Sequence, residues 1–117
     1  MQLEEAKTIV AQEELNRWRN FVARGQPIAK PRIFALSDLS QNAVVETISG
    51  PLQVPRHLTN AAPEWCFFAD DLPNANWEHP CRYLVVYSDG SIQSVDNRVP
   101  PNSTANAPIE EVFPFAL

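Results

Sequence analysis

Between residues 70 and 81 the chain gathers Asp70, Asp71, Glu78, His79 and Cys81, with Trp77 among them. A thiol, an imidazole and carboxylates are the ingredients of a Cys–His nucleophile pair or of a hard-metal site. His79 and Cys81 stand two residues apart, so on an extended strand their side chains point the same way. The pattern stops there, because no Gly-rich elbow accompanies the thiol and the second histidine, His57, stands far from it in sequence with no acidic neighbour. Asp70 and Asp71 also suit a strand end, and His79 before Pro80 suits the entry to a strand. The sequence therefore assigns no catalytic residue, no metal ligand and no cofactor. It offers the same residues as polar contacts of a binding loop, with Trp77 either as an exposed anchor or as a pin holding the loop to its own core.

Two other groups could carry chemistry. Lys7 and Glu14 lie seven residues apart within the apolar arc of an amino-terminal helix, nearly above one another. Either their stems lie on the core with the charged heads at the rim, or Glu14 faces a pocket between helix and sheet with Lys7 tuning it. The carboxy-terminal residues Ile109, Val112, Phe113, Phe115 and Leu117 are costly to leave in water. They either fold back as an extra strand on the domain or reach a partner or a second copy of the chain.

The elements that position these groups follow from periodicity. Residues 3–24 place Leu3, Val10, Ala11, Leu15, Trp18, Phe21 and Val22 on one helical face, with Glu4 and Glu5 early and Arg17, Arg19 and Arg24 late. Gly25 and Pro27 end that helix. Residues 32–36, 43–48 and 64–68 read as strands, with 52–54 as a short edge continuation. Residues 82–95 read as a β-hairpin, the clearest signal in the chain. Asp89-Gly90 fits a two-residue type I′ turn, which sets Tyr87 opposite Ile92, Val85 opposite Ser94 and Leu84 opposite Val95. Its strands are apolar on both faces, so the hairpin needs two covers. The helix is one; the 70–80 loop, the tail or a partner chain is the other.

The sequence thus predicts an α+β domain over residues 1–99, one long helix on an antiparallel sheet of about four to five strands. A Pro/Asn-rich spacer at 100–108 and an apolar tail at 109–117 follow. At 117 residues the chain can bury a single core without staples. A net charge of −5, with basic residues scattered, argues against nucleic-acid binding and suits a basic protein partner. No apolar run approaches the roughly 18 residues of a bilayer span, and no cationic start precedes an apolar run, so the expectation is a soluble, cytoplasmic protein. The two cysteines, Cys66 and Cys81, read as buried thiols, a bridge being conceivable if their strands are neighbours.

The order of one long helix and then antiparallel strands resembles that of cystatin-like domains, where a curved sheet wraps a helix. The resemblance implies architecture alone, since the inhibitory Gln-Val-Val-Ala-Gly loop has no counterpart here. Small acidic immunity, inhibitor and adaptor proteins share the chain's other traits. The expected function is accordingly a non-catalytic protein-binding module of that type. The alternatives are a small-ligand or enzymatic pocket using Glu14, Asp70 and His79, and a subunit of an assembly that exchanges its tail.

Overall fold

The computed structural model describes residues 1–26, 28–56, 60–73, 78–103 and 108–114. Its helix, α1 (Leu3–Ala23), closes on Gly25, whose φ of 70° lets the chain turn back on itself. The Gln26 N–H donates to the Phe21 carbonyl and the Gly25 N–H to the Val22 carbonyl, each at 3.0 Å, satisfying carbonyls that a helix end otherwise strands.

Seven strands follow: β1 (Arg32–Asp38), β2 (Val44–Thr47), β3 (Gly50–Gln53), β4 (Pro63–Asp70), β5 (Cys81–Tyr87), β6 (Ile92–Asn97) and β7 (Glu110–Val112). Five form one antiparallel sheet in the order β6-β5-β4-β1-β7, and β2 pairs with β3 as a separate hairpin. The architecture is α+β, with one helix on a five-stranded sheet and a two-stranded sheet beside it. The tail segment enters as β7, against the middle of β1.

The central sheet is apolar on both faces because each face has a cover. On one side Ala6 and Val10 of α1 pack with Ile33, Ala35, Phe67, Ala69, Leu84, Val86 and Val112. On the other, Val45 and Leu52 of the β2–β3 hairpin, with Leu36, Leu39 and Val54, close over Cys66, Phe68, Tyr83, Val85 and Tyr87. The second cover is therefore the 44–53 hairpin, which the sequence had suggested as members of the main sheet. Its two short strands lie on that sheet instead of extending it.

The β5–β6 register also differs from the sequence expectation. Val86 lies opposite Ile92 and Tyr83 opposite Val95, one residue off the type I′ alignment. The Gly90 N–H donates to the Tyr87 carbonyl and the Tyr87 N–H to the Ser91 carbonyl, both at 2.9 Å, so the loop is three residues long. Among the described residues of this turn only Gly90 has positive φ, at 84°, as in a type I turn followed by a G1 bulge. A one-residue slip exchanges faces. Ile92 consequently joins the helix side and Val95 the hairpin side.

The helix itself is buried along Ala6, Val10 and Glu14, a tighter line than the expected stripe. The Trp65 indole N–H donates to the Met1 carbonyl at 3.1 Å, while Glu14 meets Arg82 at the far end of the sheet. Eleven helical steps from Leu3 to Glu14 at about 1.5 Å cover about 17 Å, so α1 reaches from the Trp65 end of β4 to Arg82 at the start of β5. Beyond Glu14 the apolar face is only partly covered. Lys30 lies over the Trp18 ring, Arg17 and Arg24 lie over Phe21, and Val22 is half exposed.

Candidate functional site

Alternation along β4 and β5 separates the polar cluster that the sequence groups together. Adjacent residues on a strand face opposite sides, so Asp70 and Cys81 fall on the hairpin face while Asp71 and Arg82 fall on the helix face. The acidic pair is thus split between two environments.

On the helix face, Arg82 is the hub. Its Nη1 and Nη2 donate to Glu14 Oε2 and Oε1 at 2.8 and 2.6 Å, and its Nε and Nη2 donate to Asp71 Oδ2 and Oδ1 at 2.9 and 2.8 Å. Glu14 and Arg82 are 3% and 5% exposed, so both charges have left water and depend on this geometry. Burial disfavours the guanidinium charge, but the bonds to Glu14 and Asp71 outweigh it and raise the Arg82 pKa. Lys7 takes no part. It donates to Glu4 and Glu110, each at 3.1 Å, tying α1 to β7 rather than tuning Glu14. Neither reading of this pair holds for Glu14: its head is buried rather than at the rim, and Arg82, inside an otherwise apolar strand, reaches it bidentately in place of Lys7.

On the hairpin face the same end of the sheet opens into a cleft of about 450 Å³. Its walls are Phe68 and Asp70 of β4, Cys81 of β5, Glu78, His79, the segment Arg98 to Pro100, and Ile48 and Ser49 at the β2–β3 turn. The walls are held by their own bonds. The Ile48 N–H donates to the Pro100 carbonyl at 3.2 Å, the Asn102 N–H to the Glu46 carbonyl at 3.0 Å, and Thr47 bridges Pro101. The Tyr83 hydroxyl donates to the Val99 carbonyl at 2.7 Å, and Asn97 Oδ1 accepts from the Arg98 and Val99 amides at 2.7 and 3.0 Å. A cleft fixed this way is formed before any ligand arrives.

Within it, Asp70 Oδ1 lies 2.7 Å from His79 Nε2 and accepts the Leu72 amide at 3.1 Å. An ionised carboxylate can only accept, so Nε2 carries the proton. Asp70 Oδ2 takes no hydrogen bond among the described residues. Glu78 and Arg98 pair at 3.1 Å on the rim. Burial, aided by the charges of Asp70 and Asp71, pushes the Cys81 thiol up to about 11, and its S–H points to the Val99 carbonyl at 3.6 Å. Burial alone takes Cys66 to about 12. At neutral pH both are therefore thiols, not nucleophilic thiolates. Both are unbridged: Cys66 faces Val85 across the ladder and Cys81 faces Asp70.

No protein-family model, no curated protein and no solved structure matches this chain.

Of the residues singled out by sequence, the structure brings Asp70, Glu78 and His79 together in the cleft, beside Cys81. It places Asp71 and Glu14 on the opposite face, so Glu14, Asp70 and His79 do not converge on one pocket. Phe113 is exposed beyond β7. Trp77, Phe115 and Leu117 lie outside the described residues. Sequence reasoning missed Ile48, Phe68, Arg98 and Val99 as cleft walls. For Ile48 a signal existed: a β-branched apolar residue before Ser49 and Gly50, at a turn that polar residues usually occupy. Among the described residues no helix is long and apolar enough to cross a membrane.

Proposed function

We propose that this chain is a non-catalytic protein-binding module that engages its partner through the cleft on the hairpin face. The observation that carries this reading is Ile48, 65% exposed at the tip of a turn and fixed by hydrogen bonds above a cleft floored by Phe68. An apolar side chain rigidly presented beside a preformed concavity is the geometry of an interface anchor. Chemistry on the same face supports binding over reaction. Cys81 is held as a thiol, so the cleft presents no nucleophilic thiolate beside the Asp70–His79 pair. The net charge of −5 favours a basic partner, which it would steer from a distance.

The test is affinity capture from the native source with three baits: the intact chain, Ile48→Asp, and Val22→Asp on the exposed end of α1. The module reading expects one partner retained by the intact chain and Val22→Asp, and lost with Ile48→Asp. A partner lost only with Val22→Asp, or retained by all three, would place recognition elsewhere.

A further inference from the structure

We propose that the cleft receives a lysine or arginine side chain from the partner, its methylene stem along Phe68, Val99 and Pro100 and its cationic head on Asp70 Oδ2. This rests on the protein-binding reading above and names the chemistry of its central contact.

The charges of the cleft are almost all engaged. Arg98 is neutralised by Glu78 at 3.1 Å, the Cys81 thiol points to Val99, and Asp70 Oδ1 serves His79 and the Leu72 amide. Across the ladder from Asp70, Arg32 is committed to Glu111 through two bonds of 2.8 and 3.0 Å. What remains is one oxygen of a carboxylate that is 23% exposed, in a cleft with Phe68, Val99, Pro100 and Ile48 around it. An occupant that covers this oxygen without donating to it leaves a desolvated acceptor unpaired, so a purely apolar ligand is disfavoured. An anionic one meets Asp70 and Glu78 within a chain of net charge −5. A long aliphatic stem ending in a cation meets both demands, since Lys and Arg bury their methylenes while keeping the head on a polar site. The volume, about 450 Å³, admits such a side chain together with adjoining backbone. The field is negative at this spot, as the upward push that Asp70 and Asp71 give the Cys81 thiol also indicates.

The probes are Nα-acetyl-lysine amide, Nα-acetyl-arginine amide, and the uncharged isostere Nα-acetyl-norleucine amide, titrated into the ¹⁵N-labelled intact chain. The expected result is saturable shifts of the Ile48, Asp70, Cys81 and Val99 amides with a cationic probe, and at least tenfold weaker binding of norleucine. Asp70→Asn, whose side-chain oxygen can still accept from His79 and Leu72, should keep the native spectrum and erase that difference. Ile48→Ser should weaken all three probes alike. Equal response to norleucine, no saturable shift at the cleft with either cation, or a discrimination that survives Asp70→Asn would overturn the proposal. The two readings fail separately. Partner capture that needs Ile48 yet persists in Asp70→Asn removes the cationic anchor and leaves the binding face. Capture that needs neither removes both.

Discussion

The two faces of the central sheet spend their charges differently. Under α1, Glu14, Arg82 and Asp71 close on one another with four hydrogen bonds, and Glu14 and Arg82 are almost wholly out of water. Under the β2–β3 hairpin, on the other side of the sheet, Asp70 and His79 pair at the edge of an open cleft. In the first arrangement the charges are committed to one another: Asp71 is 21% exposed, but Arg82 is unable to reach a ligand without abandoning Glu14 or Asp71. The second leaves an acceptor and an apolar anchor facing outward. The contrast teaches that two adjacent aspartates can do different work, one locking a helix to its sheet and the other lining an open cleft, because a strand turns them to opposite sides.

The largest expected effect lies on the helix face. Arg82→Met leaves Glu14 and Asp71 without their common partner and should cost about 3–5 kcal/mol in urea unfolding. The double variant Glu14→Leu/Arg82→Met removes the stranded buried carboxylate and should recover at least half of that loss. Additive losses would show that the triad is not a coupled unit, and the contrast between the faces would lose its basis.

A smaller effect belongs to the cleft wall. Tyr83→Phe deletes the donor that holds the Val99 carbonyl at 2.7 Å and should cost about 1 kcal/mol. It should also shift the Val99 and Arg98 amides while leaving the α1 resonances in place. Shifts spread over both faces would mean that they are not independent.

At neutral pH the smallest effect belongs to Cys66 and Cys81, whose pH dependence appears only in alkali. Their folded pKa values, about 12 and about 11, lie above the ordinary 9.0 of a thiol. The folded state therefore holds protons that the unfolded state releases, so the contribution to stability is intact below about pH 9 and is lost as pH rises through 11 to 12. Below pH 9 these thiols should leave stability flat, and iodoacetamide should label them far more slowly in the folded chain than in urea. Rapid labelling of folded Cys81 at pH 7.5 would reopen a nucleophilic role for the cleft.

How much of this was legible in the sequence depends on range. Helix ends are written locally: Gly25 supplies the positive φ that the last carbonyls require, and α1 stops there. The β5–β6 hairpin is local too, but its register is not unique, because Asp89-Gly90 serves a two-residue loop and a bulged three-residue loop equally well. Choosing between them falls to the tertiary fit of Ile92 beneath α1 and Val95 beneath the other core. The apolar character of both β5 faces correctly demanded two covers. Residues 44–53 were hidden as the second, since a strand reads the same within a sheet or on top of it. Glu14 stood out inside an apolar stripe, whereas its partner Arg82 is 68 positions away and no periodicity links them. In the 70–81 cluster the composition was visible, but its division between two faces needed the extension of β4 through Asp70, beyond the strand end expected at Phe68.

The most direct measurement of the account is amide hydrogen exchange on the chain alone and saturated with its captured partner. Recognition on the hairpin face predicts new protection confined to residues 47–50, 68–70 and 97–100, with α1 unchanged. Protection concentrated on α1 or along β6, with those three segments exchanging as before, would contradict it.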